Sequence, residues 1–292
     1  MTHYASQCYA WDVVNEALNE NGTFRESVFL ATLGPDYIPL SFSIAAAADP
    51  AAKLYYNDFN LETASAKADG AVGIVKLVQD AGVKIDGVGF QAHLNVGQTP
   101  SRAQLAATLR RFTALGVEVA YTELDVKHPK LPTSEADRAQ QAVDYVAAVG
   151  SCLDVEGCVG VTVWQFSDRY SWVPGTFPGT GEACLMTEEY VKKPAYEAVL
   201  KLLQEAATAV TAAGGGARSG VGSGGRSGSN STGGRWPTNS TTGGAARSSA
   251  SVTVKGPAGG GAAATAAFSG AFVVASGIGG LVWPLLVGIL MF

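Results

Sequence analysis

Five short apolar runs, each closing on polar residues, constrain this chain more than any other feature. They are residues 9–15 (YAWDVVN), 53–56 (KLYY), 87–91 (GVGFQ), 118–122 (EVAYT) and 160–164 (GVTVW). Their β-branched and aromatic residues do not alternate strictly with polar ones, the pattern of parallel strands buried on both faces. Helical patterns fill the intervals. Ser101 with Gln104 makes a capping-box pattern, Leu105, Leu109 and Phe112 follow at helical spacing, and Gly116 closes the element. A second helix is predicted from Ser134, with Ala139, Ala142, Val143, Val146 and Val149 on one face. Further helices are predicted over 35–48, with Pro39 near the first turn, and over 63–81 and 194–203. Strands and helices alternate as five successive βα units.

Five units fit either an open doubly wound sheet or part of a (β/α)8 barrel. The polar residues discriminate. Asn15 with Glu16, Asn57 with Asp58, Gln91 with His93, Glu123 with Asp125, and Trp164 all stand at carboxyl ends of strands. A barrel gathers those ends around one mouth, and no GxGxxG or Walker A fingerprint follows any strand. The fold class read from the sequence is therefore α/β, a TIM-type (β/α)8 barrel represented by its carboxyl-terminal five βα units.

Composition divides the chain. Residues 1–205 hold all 25 acidic residues against 15 basic ones, a net charge of −10 that argues against nucleic acid as a partner. The last 87 residues carry five basic residues, no acid and 21 of the 36 glycines. Within them, 206–267 is a Gly/Ser/Thr-rich stretch that cannot bury a core, read as a stalk. Asn230 and Asn239 begin glycosylation sequons there, and Asn21 begins a third in the first region. Residues 268–292 are apolar, uncharged and long enough to span a bilayer. No basic residue follows them, and small residues, spacer and apolar tail together match a GPI-attachment signal, with the attachment residue expected within 248–261.

Glu16 and Glu123 are candidates for paired-carboxylate chemistry, because glycoside hydrolysis needs one carboxyl to protonate the leaving oxygen and another to attack or to activate water. The surrounding words carry a family resemblance. Trp11-Asp12-Val13-Val14-Asn15-Glu16-Ala17, Tyr56-Asn57-Asp58, Gly87-Val88-Gly89-Phe90-Gln91 with His93, Thr122-Glu123-Leu124-Asp125, and Val163-Trp164 with Ser171-Trp172 resemble glycoside hydrolase family 10 of the fungal type, in order over residues 1–204. The resemblance implies a retaining endo-β-1,4-xylanase acting on xylan or a related β-1,4-linked plant cell-wall polysaccharide, with no cofactor and no metal. It makes Glu16 the acid/base, Glu123 the nucleophile and Asn15 a donor to the sugar 2-hydroxyl. His93 would stand beside Glu123, oriented by Asp125. Gln91 would serve the nucleophile side, Trp164 and Trp172 would wall the substrate, and Asn57 would line the cleft.

Three departures accompany the resemblance. Phe59 stands where Tyr is common, Gln165 stands where Gly is usual, and the family has three βα units before its WDVVNEA strand whereas this chain has eight residues before Tyr9. The expectation is that an amino-terminal part, with a signal peptide, is missing, since Met1–Cys8 shows none. An unclosed sheet would leave two unpaired edges and an inner face expected to be largely apolar. Cys152 and Cys158 flank five residues at a spacing several fungal members share, so a local disulfide is expected, two reduced core cysteines being the alternative. Cys8 and Cys184 have no obvious partner. The implied location is secreted and cell-surface attached through the GPI anchor or a span. A β-1,4-glucanase and a non-catalytic wall-glycan binding protein are the competing functions.

Overall fold

A computed structural model of the chain describes residues 1–215, 272–276 and 283–287. Six parallel strands form one sheet: β1 (Ala10–Asn15), β2 (Lys53–Asp58), β3 (Gly87–Phe90), β4 (His93–Asn95), β5 (Glu118–Lys127) and β6 (Cys158–Val163). Their spatial order is β1-β2-β3-β5-β6, with the short β4 continuing β3 along β5. Spatial order thus follows chain order with no reversal. That is the property of a barrel wall, whereas a doubly wound sheet turns back at a switch point.

The helices are α1 (Val28–Leu33), α2 (Tyr37–Ala48), α3 (Ala66–Asp80), α4 (Arg102–Thr113), α5 (Glu135–Leu153), α6 (Val173–Thr176) and α7 (Pro194–Gly215), of which α2 to α5 and α7 supply core residues. Capping sets several starts. Ser65 accepts from Ala68 N, and full capping boxes open α4 (Ser101, Gln104) and α5 (Ser134, Asp137). The helix predicted over 35–48 is present as α2, entered through a 3-10 turn at Gly34–Asp36, and α1 before it is an additional helix. The helix predicted over 194–203 runs further. Residues 206–213 are mostly alanine, the best helix former, so α7 continues into the glycines at 214–215.

The core lies between sheet and helices. Leu54, Tyr56, Val88, Phe90, Val119 and Tyr121 face Ile74, Val78, Leu105, Leu109, Phe112, Tyr145 and Val149. Phe90 is its centre, edge-on to Phe112 at 5.1 Å and to Tyr121 at 6.3 Å. Cys152 and Cys158 form a disulfide joining the end of α5 to β6, while Cys8 and Cys184 are free.

The inner face of the sheet is more polar than expected. Asn57 and Thr122 occupy it beside Gly89, where a Cβ would stand 2.3 Å from Asn57 Oδ1 and 2.7 Å from Thr122 Cγ2. The physical reason is that this face supplies the floor of a polar site. Within the apolar segment 268–292, β7 (Phe272–Ser276) and β8 (Trp283–Val287) pair antiparallel. The rest of that segment, the stretch 216–267 and with it Asn230 and Asn239 lie outside the described residues.

Candidate active site

The site is built where the strands end, and three irregularities aim its side chains. In β1, Asp12 opposes Tyr55 but Val14 opposes Tyr56, so one extra residue is inserted before Asn15. In β5, the three-residue step from Tyr121 to Leu124 matches a two-residue step from Val161 to Val163 on β6. This bulge lets adjacent residues Thr122 and Glu123 both reach Asn57, which strict alternation along a strand forbids. The third irregularity lies between β3 and β4. Phe90 pairs with Tyr121 and His93 with Asp125, a one-residue slip centred on Ala92, whose φ is +60°.

Left-handed non-glycine residues recur here. Glu16 (φ +54°), Asn60 (+58°), Ala92 (+60°) and Gln165 (+71°) follow β1, β2, β3 and β6. Each costs about 1 kcal/mol or more and persists only where the surroundings hold it. For Glu16 those surroundings are visible. Its N–H donates to Asn57 O at 2.9 Å, the next N–H (Ala17) to Tyr56 Oη at 3.3 Å, and Ala17 O accepts from Arg25 N at 2.8 Å.

A continuous chain of hydrogen bonds joins the two glutamates. Gln91 Nε2 donates to Glu16 Oε1 and to Asn15 Oδ1, both at 3.2 Å. Asn57 Nδ2 donates to Asn15 Oδ1 at 3.0 Å and to Glu123 Oε1 at 2.9 Å. Thr122 Oγ1 donates to Asn57 Oδ1 at 2.7 Å and so fixes which way that amide points. Asn15 receives two donors on its oxygen. Its amide hydrogens meet no partner among the described residues, and the residue is exposed.

The outer carboxylate oxygens have different partners. Arg25, half exposed, donates to Glu16 Oε2 at 3.1 Å. His93 Nε2 lies 3.4 Å from Glu123 Oε2, and His93 Nδ1 lies 3.0 Å from Asp125 Oδ1. Burial alone would lower the His93 pKa, but hydrogen bonds to Asp125 and Glu123, reinforced by their charges, outweigh it and raise it to about 9. Near neutral pH the ring is therefore a cation donating at both nitrogens. Trp172 Nε1 donates to the other oxygen of Asp125 at 2.8 Å, and its ring stands edge-on to His93 at 4.8 Å. The loop carrying Trp172 is anchored by the buried pair Lys193–Asp168 at 2.6 Å.

Nine residues expected at the site from the sequence have these positions. Asn15, Glu16, Asn57, Gln91, His93, Glu123, Asp125 and Trp172 form one hydrogen-bonded cluster. Trp164 follows β6 directly, half-buried, with its N–H on Leu124 O at 3.0 Å. Asn21 lies exposed on the loop after β1, its Oδ1 accepting from Thr23 Oγ1 at 2.7 Å. Sequence reasoning missed Arg25, Thr122 and Glu62. Thr122 lay inside a quoted motif, Arg25 had only its charge near the β1 end as a signal, and Glu62 had none.

A second cluster backs the first. Lys67, 1% exposed, bridges Asp58 at 3.0 Å and Glu20 at 3.1 Å beneath the ring of Phe59, and Tyr56 Oη donates to Asp58. Chemically, one glutamate with an exchangeable outer partner faces another held from both sides by fixed donors. Such an asymmetric pair can divide proton transfer from nucleophilic attack.

Residues 1–202 match the model of Glycosyl hydrolase family 10. Over 210 residues the chain is 62% identical to endo-1,4-beta-xylanase 5 of Pyricularia oryzae, covering 72% of this chain and 52% of that protein. It is 61% identical over 203 residues to endo-1,4-beta-xylanase 1 of Humicola insolens, covering 70% of this chain and 47% of that one. The chain thus spans about half the length of the curated relatives it matches. Among solved structures, the Penicillium canescens endo-1,4-beta-xylanase XylE superposes with TM-score 0.67 at 43% identity, over 68% of this chain and 62% of that one. The xylanase of Bispora sp. MEY-1 bound to xylobiose superposes with TM-score 0.67 at 42% identity, over 69% and 64%.

Proposed function

The chain belongs to glycosyl hydrolase family 10, and from that premise we propose that it carries the catalytic half of an endo-1,4-β-xylanase that cleaves xylan with retention of configuration. The observation that carries this reading is the unbroken bridge Glu16–Gln91–Asn15–Asn57–Glu123, which ties two carboxylates to opposite sides of one polar floor. Relatives at 62% and 61% identity are endo-1,4-beta-xylanases, which supports xylan over cellulose as the substrate. The closed barrel of the family has eight strands, and on this reading residues 1–205 correspond to five of its βα units.

In this mechanism Glu123 attacks the anomeric carbon, since both its oxygens accept from fixed donors, Asn57 and His93, that hold it in place for attack. Glu16 gives its proton to the departing glycosidic oxygen, and the half-exposed Arg25 is the partner that yields as that oxygen approaches Oε2. Water then enters, Glu16 takes its proton, and the glycosyl ester on Glu123 is released. Asn15 presents its free amide hydrogens to the sugar 2-hydroxyl. Trp172 and Trp164 wall the site with flat apolar faces.

The stretch between α7 and the apolar segment reads as a stalk glycosylated at Asn230 and Asn239, with Asn21 glycosylated on the barrel. Residues 268–292 read as a GPI signal, giving a secreted, surface-held enzyme. Following xylan hydrolysis by 1H NMR tests the catalytic reading. The first product signal should be the β-anomer. An α-anomer appearing first would exclude the double displacement, and faster release from carboxymethylcellulose than from xylan would make the enzyme a glucanase.

A further inference from the structure

The slip between β3 and β4 leaves a problem in hydrogen-bond accounting, and one side chain solves it. β2 ends at Asp58, whose carbonyl takes the Gln91 N–H at 3.0 Å. The next N–H on that side, from Ala92, has no strand carbonyl left to face. A buried N–H left without an acceptor destabilises the fold, in addition to the strain of the left-handed backbone. Glu62, 5% exposed and four residues beyond β2, fills the gap, with its Oε1 accepting the Ala92 N–H at 2.8 Å. On the other side of the same residue, Ala92 O accepts from Asp125 N at 3.3 Å and Gln91 O accepts from Glu123 N at 3.1 Å.

The clamp therefore sits between two functional side chains. Gln91, just before Ala92, bonds Glu16 and Asn15, and His93, just after it, bonds Glu123 and Asp125. We propose that Glu62 is a positioning residue, whose carboxylate oxygen holds the left-handed turn at Ala92 and so aims Gln91 at Glu16 and His93 at Glu123. The assignment rests on the reading of Glu16 and Glu123 as the reacting pair. Glu62 touches neither of them and acts only through the backbone it fixes. Its buried carboxyl is pushed toward the protonated form by desolvation, opposed first by hydrogen bonds from its own and the Ala92 backbone N–H and then by the charges of His93 and Lys67. The oxygen that accepts the Ala92 N–H serves in either protonation state.

The test compares Glu62→Gln, which keeps an acceptor oxygen, with Glu62→Leu, which has none, in the full chain. The chain has three histidines, so the His93 ring signal is the one absent from His93→Asn. The ring should titrate near 9 in the parent, stay within about half a unit of that in Glu62→Gln, and fall by about a unit or more in Glu62→Leu as the Asp125 and Glu123 bonds loosen. Hydrogen exchange at the Ala92 amide should accelerate at least tenfold or so in the Leu variant alone. With xylo-oligosaccharides, kcat should fall on the order of a hundredfold in Glu62→Leu and recover most of the way in Glu62→Gln. Equal shifts in both variants would mean that Glu62 acts by charge, and no shift in either would mean that it does not position the site. Each outcome overturns the proposal. Glu62→Asp, which withdraws the oxygen by one methylene, answers the question should the Leu variant not fold. If the parent hydrolyses no xylan, the functional reading fails while ring titration and amide exchange still decide the clamp.

Discussion

His93 should make the stability of this protein depend on pH between about 6.5 and 9. Its folded pKa of about 9 exceeds the value near 6.5 expected for an unfolded histidine, because Asp125 and Glu123 hold the charged ring. A raised folded pKa contributes stability that is fully present below pH 6.5, declines between 6.5 and 9, and is absent above 9. The difference corresponds to about 3 kcal/mol for a side chain that is only 13% exposed. His128 does not interfere. Burial and then the neighbouring Lys193 lower its pKa, so its effect falls below this window. Urea unfolding from pH 6 to 10 should show the parent losing about 3 kcal/mol relative to His93→Asn. Parallel curves for the two proteins would refute the ring's role as a cation between two carboxylates.

Three further outcomes follow from the geometry. Lys67→Met should cost about 3–5 kcal/mol in urea unfolding, because it strands the fully buried Asp58 without its cation; a loss under 1 kcal/mol would show that the pair is dispensable. Gly89→Ala should lower kcat far more than it lowers the unfolding midpoint, since the new Cβ displaces Asn57 Oδ1 from 2.3 Å away; equal kcat would contradict the placement of Asn57. Asn57→Ala should reduce kcat/KM by about a hundredfold with secondary structure unchanged by circular dichroism, because it cuts the bridge between Asn15 and Glu123.

Much of this was legible in the residues. Apolar runs located five of the six strands of the sheet, and the polar residues at their ends cluster in the candidate site, because a strand end both stops burial and presents side chains. The capping boxes at Ser101 and Ser134 were equally legible, being local. What escaped was register. Nothing in VVN or TEL marks a bulge, since a bulge is a relation between two strands. Ala92 escaped for a related reason: glycine would have signalled a left-handed turn, whereas alanine is held there by Glu62 from another loop. Lys67 adjoins the apolar stripe of Ala68, Ala71, Ile74 and Val75, and its burial depends on Asp58 of β2, which periodicity along α3 does not reveal. The apolar inner face was expected because strand composition was read without asking which side faces a polar site. The helix predicted to end at 203 runs on because the alanines before Gly214 prolong a helix that has already begun.

The assignment of Glu123 as nucleophile and Glu16 as acid/base is tested most directly by trapping the intermediate. The protein is incubated with a 2-deoxy-2-fluoro-β-xylobioside bearing a dinitrophenolate leaving group, digested, and its peptides are sequenced by mass spectrometry. The sugar should be found esterified to Glu123, within the peptide that carries Thr122 and Asp125, and Glu16 should be unmodified. A label on Glu16, or turnover without any labelled carboxylate, would contradict the account.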